Sequence, residues 1–157
     1  MSKILIVGKS GSGKNGLKNK LTQKGFTKSI SYTTRTPRPE EINGEDYYFI
    51  SDEQFDNLSR CNFFRESFQK NGYFYGTTVY DWNSKKVFIM DPLAIENLTA
   101  EERSECIVMY LNKSIQNRMT RLIKRGDLIH IASIIKEEDE EFLNFKDYDI
   151  RVTSPNI

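Results

Sequence analysis

The chain has one histidine, one tryptophan, two cysteines and four prolines in 157 residues, and each scarcity removes a class of chemistry. A lone His130 cannot build a histidine metal site or a Ser-His catalytic pair, and it reads as a helix-surface residue. Cys61 and Cys106 lie far apart without metal-ligand spacing, so reduced thiols in a reducing compartment are expected. Neither sign of charge dominates. The 23 Lys and Arg against 22 Asp and Glu leave a formal net charge of +1, which gives no global signature of nucleic-acid binding. Long hydrophobic runs are also missing: Ile107-Val108-Met109-Tyr110-Leu111 is strand-sized, far below the ~20 residues a membrane helix needs. Met1-Ser2-Lys3-Ile4 leads directly into an apolar run and leaves no room for a signal peptide, so a soluble cytoplasmic protein is expected. No internal repeat or low-complexity linker occurs, and the length suits a single domain over 1–157.

What the chain does have begins at once. The glycine-rich run Gly8-Lys9-Ser10-Gly11-Ser12-Gly13-Lys14 follows Ile4-Leu5-Ile6-Val7 and precedes a helix-like stretch. In that order the glycines let the backbone turn its N–H groups inward, the helix offers its positive end, and Lys14 can reach the β- and γ-phosphates of a nucleotide. The phosphate-binding set is therefore Gly8, Ser10, Gly11, Ser12, Gly13, Lys14, Asn15 and Gly16. One position departs from the usual pattern. Where a Ser or Thr hydroxyl would ligate magnesium, the chain has Asn15, whose amide oxygen is a neutral and longer cation ligand.

Apolar runs bounded by turn residues predict strands at 3–7, 86–90 and 105–111, separated by helical patterns, as a doubly wound parallel α/β sheet requires. On the first helix Leu17 and Leu21 face inward, Lys18, Lys20 and Lys24 are expected to face solvent, and Gly25 is the stop. Between that helix and the second strand the texture changes. Residues 47–50, 62–68 and 73–78 are aromatic and β-prone, Asn71-Gly72 is a hairpin turn, and Ser51 with Gln54 forms a capping box ahead of Phe55 and Leu58. A small mixed or antiparallel β lobe is thus inserted into the core.

Within that lobe, the run from Ser31 to Tyr47 sets Arg35 and Arg38 around Pro37 and follows them with Glu41. Guanidinium forks match phosphate oxygens in bidentate fashion, and tyrosine hydroxyls can complete such a shell. This segment resembles the monophosphate motif of guanylate kinases, and Phe64-Arg65-Glu66 and Tyr73-Phe74-Tyr75-Gly76-Thr77 resemble its continuation. The resemblance extends from Ile4 to about Ile150. It implies that Arg35, Arg38, Tyr47 and Tyr75 hold the GMP phosphate, with Glu41 beside them, and that Ser31, Glu66 and Thr77 contact guanine. The chemistry agrees, because guanine offers N1–H and an exocyclic amine side by side and one carboxylate can accept both. Asp91 corresponds to a family aspartate facing guanine and metal, so Asn15 and Asp91 are the expected magnesium ligands.

In residues 114–125, Ile115, Met119 and Leu122 form one helical face, and Arg118, Arg121 and Arg125 fall on another. The resemblance makes Arg121 and Arg125 lid arginines that close over the transferring phosphoryl group. It implies a core of 1–30, 80–115 and 145–157, a GMP-binding lobe of 31–79 and a helical lid of about 116–144. Beyond Gly126 the chain offers Ser133 or Lys136 where a further lid arginine is usual, and Ser154 where an adenine-contacting asparagine is usual. It stops short of the family's C-terminal helix. The acidic run 137–141 reads as a solvated helix face, and residues 148–152 as the last core strand. The implied activity is transfer of a phosphoryl group from ATP to GMP or dGMP with magnesium, by Lys14, Arg38, Arg121 and Arg125. The rivals are a related module that only binds guanine nucleotide or a protein, and a kinase of the same architecture acting on a sugar phosphate.

Overall fold

The structure is a computed structural model that describes residues 2–126 and 130–153. Ser154, the position expected at an adenine contact, lies outside the described residues. The elements in chain order are β1 (Lys3–Val7), α1 (Lys14–Gln23), β2 (Tyr32–Thr33), β3 (Tyr48–Phe49) and α2 (Asp52–Arg60). They continue with β4 (Phe64–Lys70), β5 (Tyr73–Thr78), α3 (Val79–Ser84), β6 (Val87–Ile89), α4 (Pro92–Glu96) and α5 (Ala100–Ser104). β7 (Cys106–Leu111), α6 (Ile115–Lys124), α7 (Ile131–Phe142) and β8 (Ile150–Val152) complete the set. The chain divides into two compact units, one made of residues up to Phe26 and from Val87 onward, the other of Thr27–Lys86.

The first unit is a parallel α/β sheet in the order β6-β1-β7-β8, so the earliest strand is internal. Leu5, Ile6 and Val7 are fully buried, which a strand covered on both faces demands. Alternation assigns the faces. Ile6, Val87 and Leu111 form one cluster that packs against Leu17 and Leu21 of α1. Tyr110 points the other way, stacking on Phe142 of α7 at 5.6 Å and meeting Phe145 edge-on at 5.5 Å. The stretch 148–152 supplies the last core strand, as β8 at Ile150–Val152; no helix among the described residues is long and apolar enough to cross a membrane.

Two expected solvent faces are corrected. Lys18, one turn after Lys14 on α1, is 5% exposed. Glu138, in the supposedly solvated acidic run, is 1% exposed. It follows Ile131 by seven residues and precedes Phe142 by four, so it shares their buried face, while Glu137, Asp139 and Glu140 are exposed.

The second unit is a mixed sheet in the order β3-β2-β5-β4, with β2 and β3 parallel and the other pairs antiparallel. Asn71 and Gly72 both take positive φ, 52° and 80°, as the tight β4–β5 hairpin needs. The Ser51–Gln54 capping box is present, and it launches α2 so that Phe55 stacks on Phe64 at 4.5 Å and Phe74 at 5.4 Å. The unit reaches past 31–79 at both ends. Asp81 of α3 accepts hydrogen bonds from Ser29 Oγ (2.8 Å) and the Ile30 N–H (3.0 Å), which ties both flanks to the sheet.

Candidate active site

In the first unit all strands run parallel, so β1, β6 and β7 end at one edge, and the glycine loop lies there between β1 and α1. Gly8 is pressed against its neighbours: an added Cβ would lie 2.7 Å from Ser12 Oγ and 2.8 Å from the Leu111 carbonyl. Gly11 and Gly13 have φ of +76° and +97°, left-handed conformations that turn the loop over the start of α1. Gly13 caps α1 without a side-chain hydrogen bond, so the first-turn N–H groups, including those of Asn15 and Gly16, receive no side-chain cap from it. Lys14 Nζ folds over the loop and donates to the carbonyls of Gly8 and Lys9, the latter at 3.2 Å. Asp91 follows β6 at the same edge, where the Met90 N–H donates to the Ile6 carbonyl at 3.1 Å.

The residues offered to magnesium are oxygen donors, the Asn15 amide and the Asp91 carboxylate, and no three His, Cys, Asp or Glu cluster among the described residues. That set fits a hard cation held by one or two protein oxygens, with phosphate oxygens and water filling the rest of its shell.

The arginines of α6 separate into three environments. Arg121 Nη1 donates to the Gly11 carbonyl at 3.1 Å and would lie 2.8 Å from a Cβ on Gly13. Arg125, one turn on, is the exposed C-cap of α6. Arg118, expected on the same stripe, is 3% exposed: Nε donates to the Ser10 carbonyl at 2.9 Å and Nη2 to Glu138 Oε2 at 2.6 Å. The other Glu138 oxygen accepts from Ser10 N–H at 2.8 Å and Ser10 Oγ at 2.5 Å. Beside it, Lys9 pairs with Asp139. The loop is thus held from outside by α6 and α7.

In the second unit, Arg35 Nη2 meets Glu41 Oε1 at 2.7 Å, and Arg38 approaches the same oxygen at 3.4 Å while its N–H donates to Oε2 at 2.7 Å. Arg35 also lies over the rings of Tyr47 (5.6 Å) and Phe49 (5.7 Å), and Tyr47 meets Tyr75 edge-on at 6.1 Å. Arg35, Arg38, Glu41, Tyr47 and Tyr75 therefore converge. Burial alone would raise the Glu41 carboxyl, but hydrogen bonds and charge from Arg35 and Arg38 hold it below its ordinary range. Burial likewise works against the Arg35 cation and is outweighed by Glu41, so Arg35 sits above its ordinary value.

Glu66 and Thr77 are register partners across β4 and β5. The pairing slips by one residue at Arg65, a β-bulge, and the Arg65 guanidinium rests 4.0 Å over the Trp82 ring. The bulge decides which face Glu66 occupies. Tyr32 pairs with Gly76, and continuing that antiparallel register by one residue sets Ser31 beside Thr77. Trp82 and Tyr32 pack, as expected, Tyr32 against Tyr48 at 4.7 Å.

A family model described as guanylate kinase matches residues 1–155. The chain belongs to the guanylate kinase family. Its matched relatives are guanylate kinases, nucleoside monophosphate kinases of the transferase class. The guanylate kinase of Trichormus variabilis is 46% identical over 76 residues, a match taking in 47% of this chain and 38% of that relative's length. The guanylate kinase of Lactobacillus johnsonii is 28% identical over 166 aligned positions, covering 98% of this chain and 81% of the relative. Among solved structures, guanylate kinase from Anaplasma phagocytophilum superposes with a TM-score of 0.73 at 20% identity, over 98% of this chain and 77% of that one. At that identity the likeness speaks for the α/β fold.

Sequence reasoning on this guanylate kinase family member did not find Glu138 or Arg118 as neighbours of the loop. Glu138 carried a signal, since its spacing from Ile131 and Phe142 puts an acid on an apolar face. A buried acid needs a cation, and Arg118 was the basic residue set back from the Arg121-to-Arg125 pair.

Proposed function

We propose that this chain transfers the γ-phosphoryl group of ATP to GMP or dGMP, giving ADP and the guanine diphosphate. The observation that carries this reading is the convergence of Arg35, Arg38, Tyr47 and Tyr75 in a unit that also pairs Glu66 with Thr77. Arginine forks suit a dianionic monophosphate, and a carboxylate next to a hydroxyl suits the guanine edge. Adenine lacks the adjacent donors, so it would leave Glu66 without its base partner.

The acceptor oxygen of GMP is already anionic, which makes a general base unnecessary. Catalysis then reduces to in-line positioning and neutralisation of charge. On this reading the loop amides and Lys14 hold the donor phosphates, Arg121 and Arg125 steady the transferring group, and Arg38 holds the acceptor phosphate. Asn15 and Asp91 would hold magnesium, whose chemistry there would be neutralisation of phosphate charge. Glu41 positions Arg35 and Arg38 through the ion pairs it makes with both. The two free cysteines support a reducing, cytoplasmic setting.

Asn15 favours a second reading, a guanine-nucleotide-binding module with little turnover, because it removes the hydroxyl that would ligate the metal. One assay separates the two. ADP formation from ATP and magnesium is measured with GMP, dGMP, AMP, CMP and UMP as separate acceptors, alongside calorimetric titration of GMP. Turnover confined to guanine monophosphates, and lowered by orders of magnitude in Arg38→Ala, is the expected result. GMP binding without turnover would replace it with the binding module, and neither signal would refute both.

A further inference from the structure

Lys113 follows β7 by two residues and is 6% exposed, yet its Nζ has no hydrogen-bond partner among the described residues. An unpaired buried ammonium is among the least favourable groups a fold can carry. Its position gives the reason. Leu111, which ends β7, packs on the α1 side of the sheet, and Lys113 follows it by two residues. That is the side on which the loop passes from β1 to α1, and the Leu111 carbonyl already lies against Gly8.

The charged neighbour acting on Lys113 among the described residues is itself a cation, Arg121. Arg121, which donates to Gly11, repels the Lys113 ammonium, and burial together with that repulsion holds Lys113 below the ordinary lysine range. Ser12 Oγ, 1% exposed and close to Gly8, is the other buried side-chain atom without a partner among the described residues. The loop thus holds one unpaired polar group, Ser12 Oγ, and the segment after β7, whose Leu111 carbonyl lies against Gly8, holds the other, Lys113 Nζ; a polyanion at the loop would give both a partner.

We propose that Lys113 is a second phosphate-binding lysine, donating to an oxygen of the ATP triphosphate held by the loop and supplying charge that Asn15 cannot recruit through a strongly bound metal. The inference rests on the reading of the loop as the ATP site. A fixed ammonium at this place makes triphosphate binding less dependent on magnesium. The roles of the two lysines differ: Lys14 reaches over the loop from α1, and Lys113 approaches from the end of β7.

The test is calorimetric titration of ATP into the wild-type chain, Lys113→Met and Lys14→Met, each with magnesium and with EDTA. Lys113→Met should weaken ATP binding roughly 10- to 100-fold in EDTA, as loss of a charged hydrogen bond does, and less with magnesium. GMP binding should be unchanged, and the melting temperature should not fall, because a buried charge has been removed. Wild-type binding that Lys113→Met leaves within about twofold in EDTA would overturn this inference alone. Absence of ATP binding by the wild-type chain would overturn the loop reading and the inference together. A readout without substitution is the Lys113 13Cε resonance, which should move on addition of ATP; a resonance that stays in place at saturating ATP overturns the proposal even if Lys113→Met fails to fold.

Discussion

Replacing Glu138 with Ala should be among the most damaging single substitutions in the first unit. Its carboxylate accepts hydrogen bonds from Ser10 N–H, Ser10 Oγ and Arg118 Nη2, and Glu138 and Arg118 are both at least 97% buried. Summing bonds to a charged acceptor at about 1.5–3 kcal/mol each overshoots, since the freed groups relax and admit water. The better guide is the cost of stranding one partner of a buried ion pair, about 3–5 kcal/mol. For a chain of this length each kcal/mol moves the midpoint by roughly 2–4 °C, so a fall on the order of 6–20 °C is expected. Urea unfolding of Glu138→Ala, Arg118→Ala and the double variant gives the coupling, expected near the upper end of about 0.5–3 kcal/mol. The double variant should be less unstable than the two singles added. Glu138→Gln, which keeps an acceptor for Ser10 but not the charge for Arg118, should fall between. If Glu138→Ala lost less than about 1 kcal/mol, or if the cycle were additive within about 0.5 kcal/mol, the pair would not be what holds α7 to the loop.

Gly11→Ala should destabilise by about 2 kcal/mol or more, because a Cβ there combines a φ of +76° with a 2.8 Å approach to the Arg118 carbonyl. Gly72→Ala is the control, with a similar φ and nothing within 4 Å, and should lose only about 1–2 kcal/mol. Acid stability follows from Glu41 and Asp149, both held below their ordinary values, Asp149 by the Val108 N–H and Arg103 against an opposing effect of burial. Groups depressed in this way stabilise above their unfolded values and lose that contribution as pH falls through the folded ones. Urea midpoints should therefore drop as pH falls below about 4.5, the unperturbed Glu41 value, and Glu41→Gln should flatten that fall; a profile identical to wild type would refute the assignment. Asn15→Ser should raise magnesium-dependent turnover if the missing hydroxyl limits the reaction, and unchanged turnover would remove Asn15 as the bottleneck.

Local rules carried much of this molecule. The loop, the Ser51 capping box, the Asn71-Gly72 turn and the three core strands were legible because each depends on residues within a few positions of one another. What escaped was long-range. Glu138 meets Ser10 across 128 positions, and a run of acids at 137–141 gives no hint of that partner unless helical phase is counted from Ile131. Lys18 was misplaced for a related reason: a lysine between Leu17 and Leu21 looks solvated in sequence, and its 5% exposure is a matter of tertiary packing. Arg118 shared its stripe with Arg121 yet serves the fold, a distinction set by which helix covers it. The bulge at Arg65 left no sequence mark, because an extra residue in a strand shows only in the pairing.

The central place of β1 carries a consequence for biosynthesis. Lys3 pairs with Cys106, so this strand leaves the ribosome about 100 residues before its partner β7 exists. At roughly 5–20 residues per second, Ile4 to Val7 stays without that neighbour for about 5–20 s, a window in which an apolar segment can meet another nascent chain. The second unit, whose pairings all lie within Thr27–Lys86, is complete before β7 is made. Slowed translation between Lys86 and Leu111 would lengthen that exposure, and codon choice over those 25 or so residues is a lever on yield that leaves the protein itself unchanged.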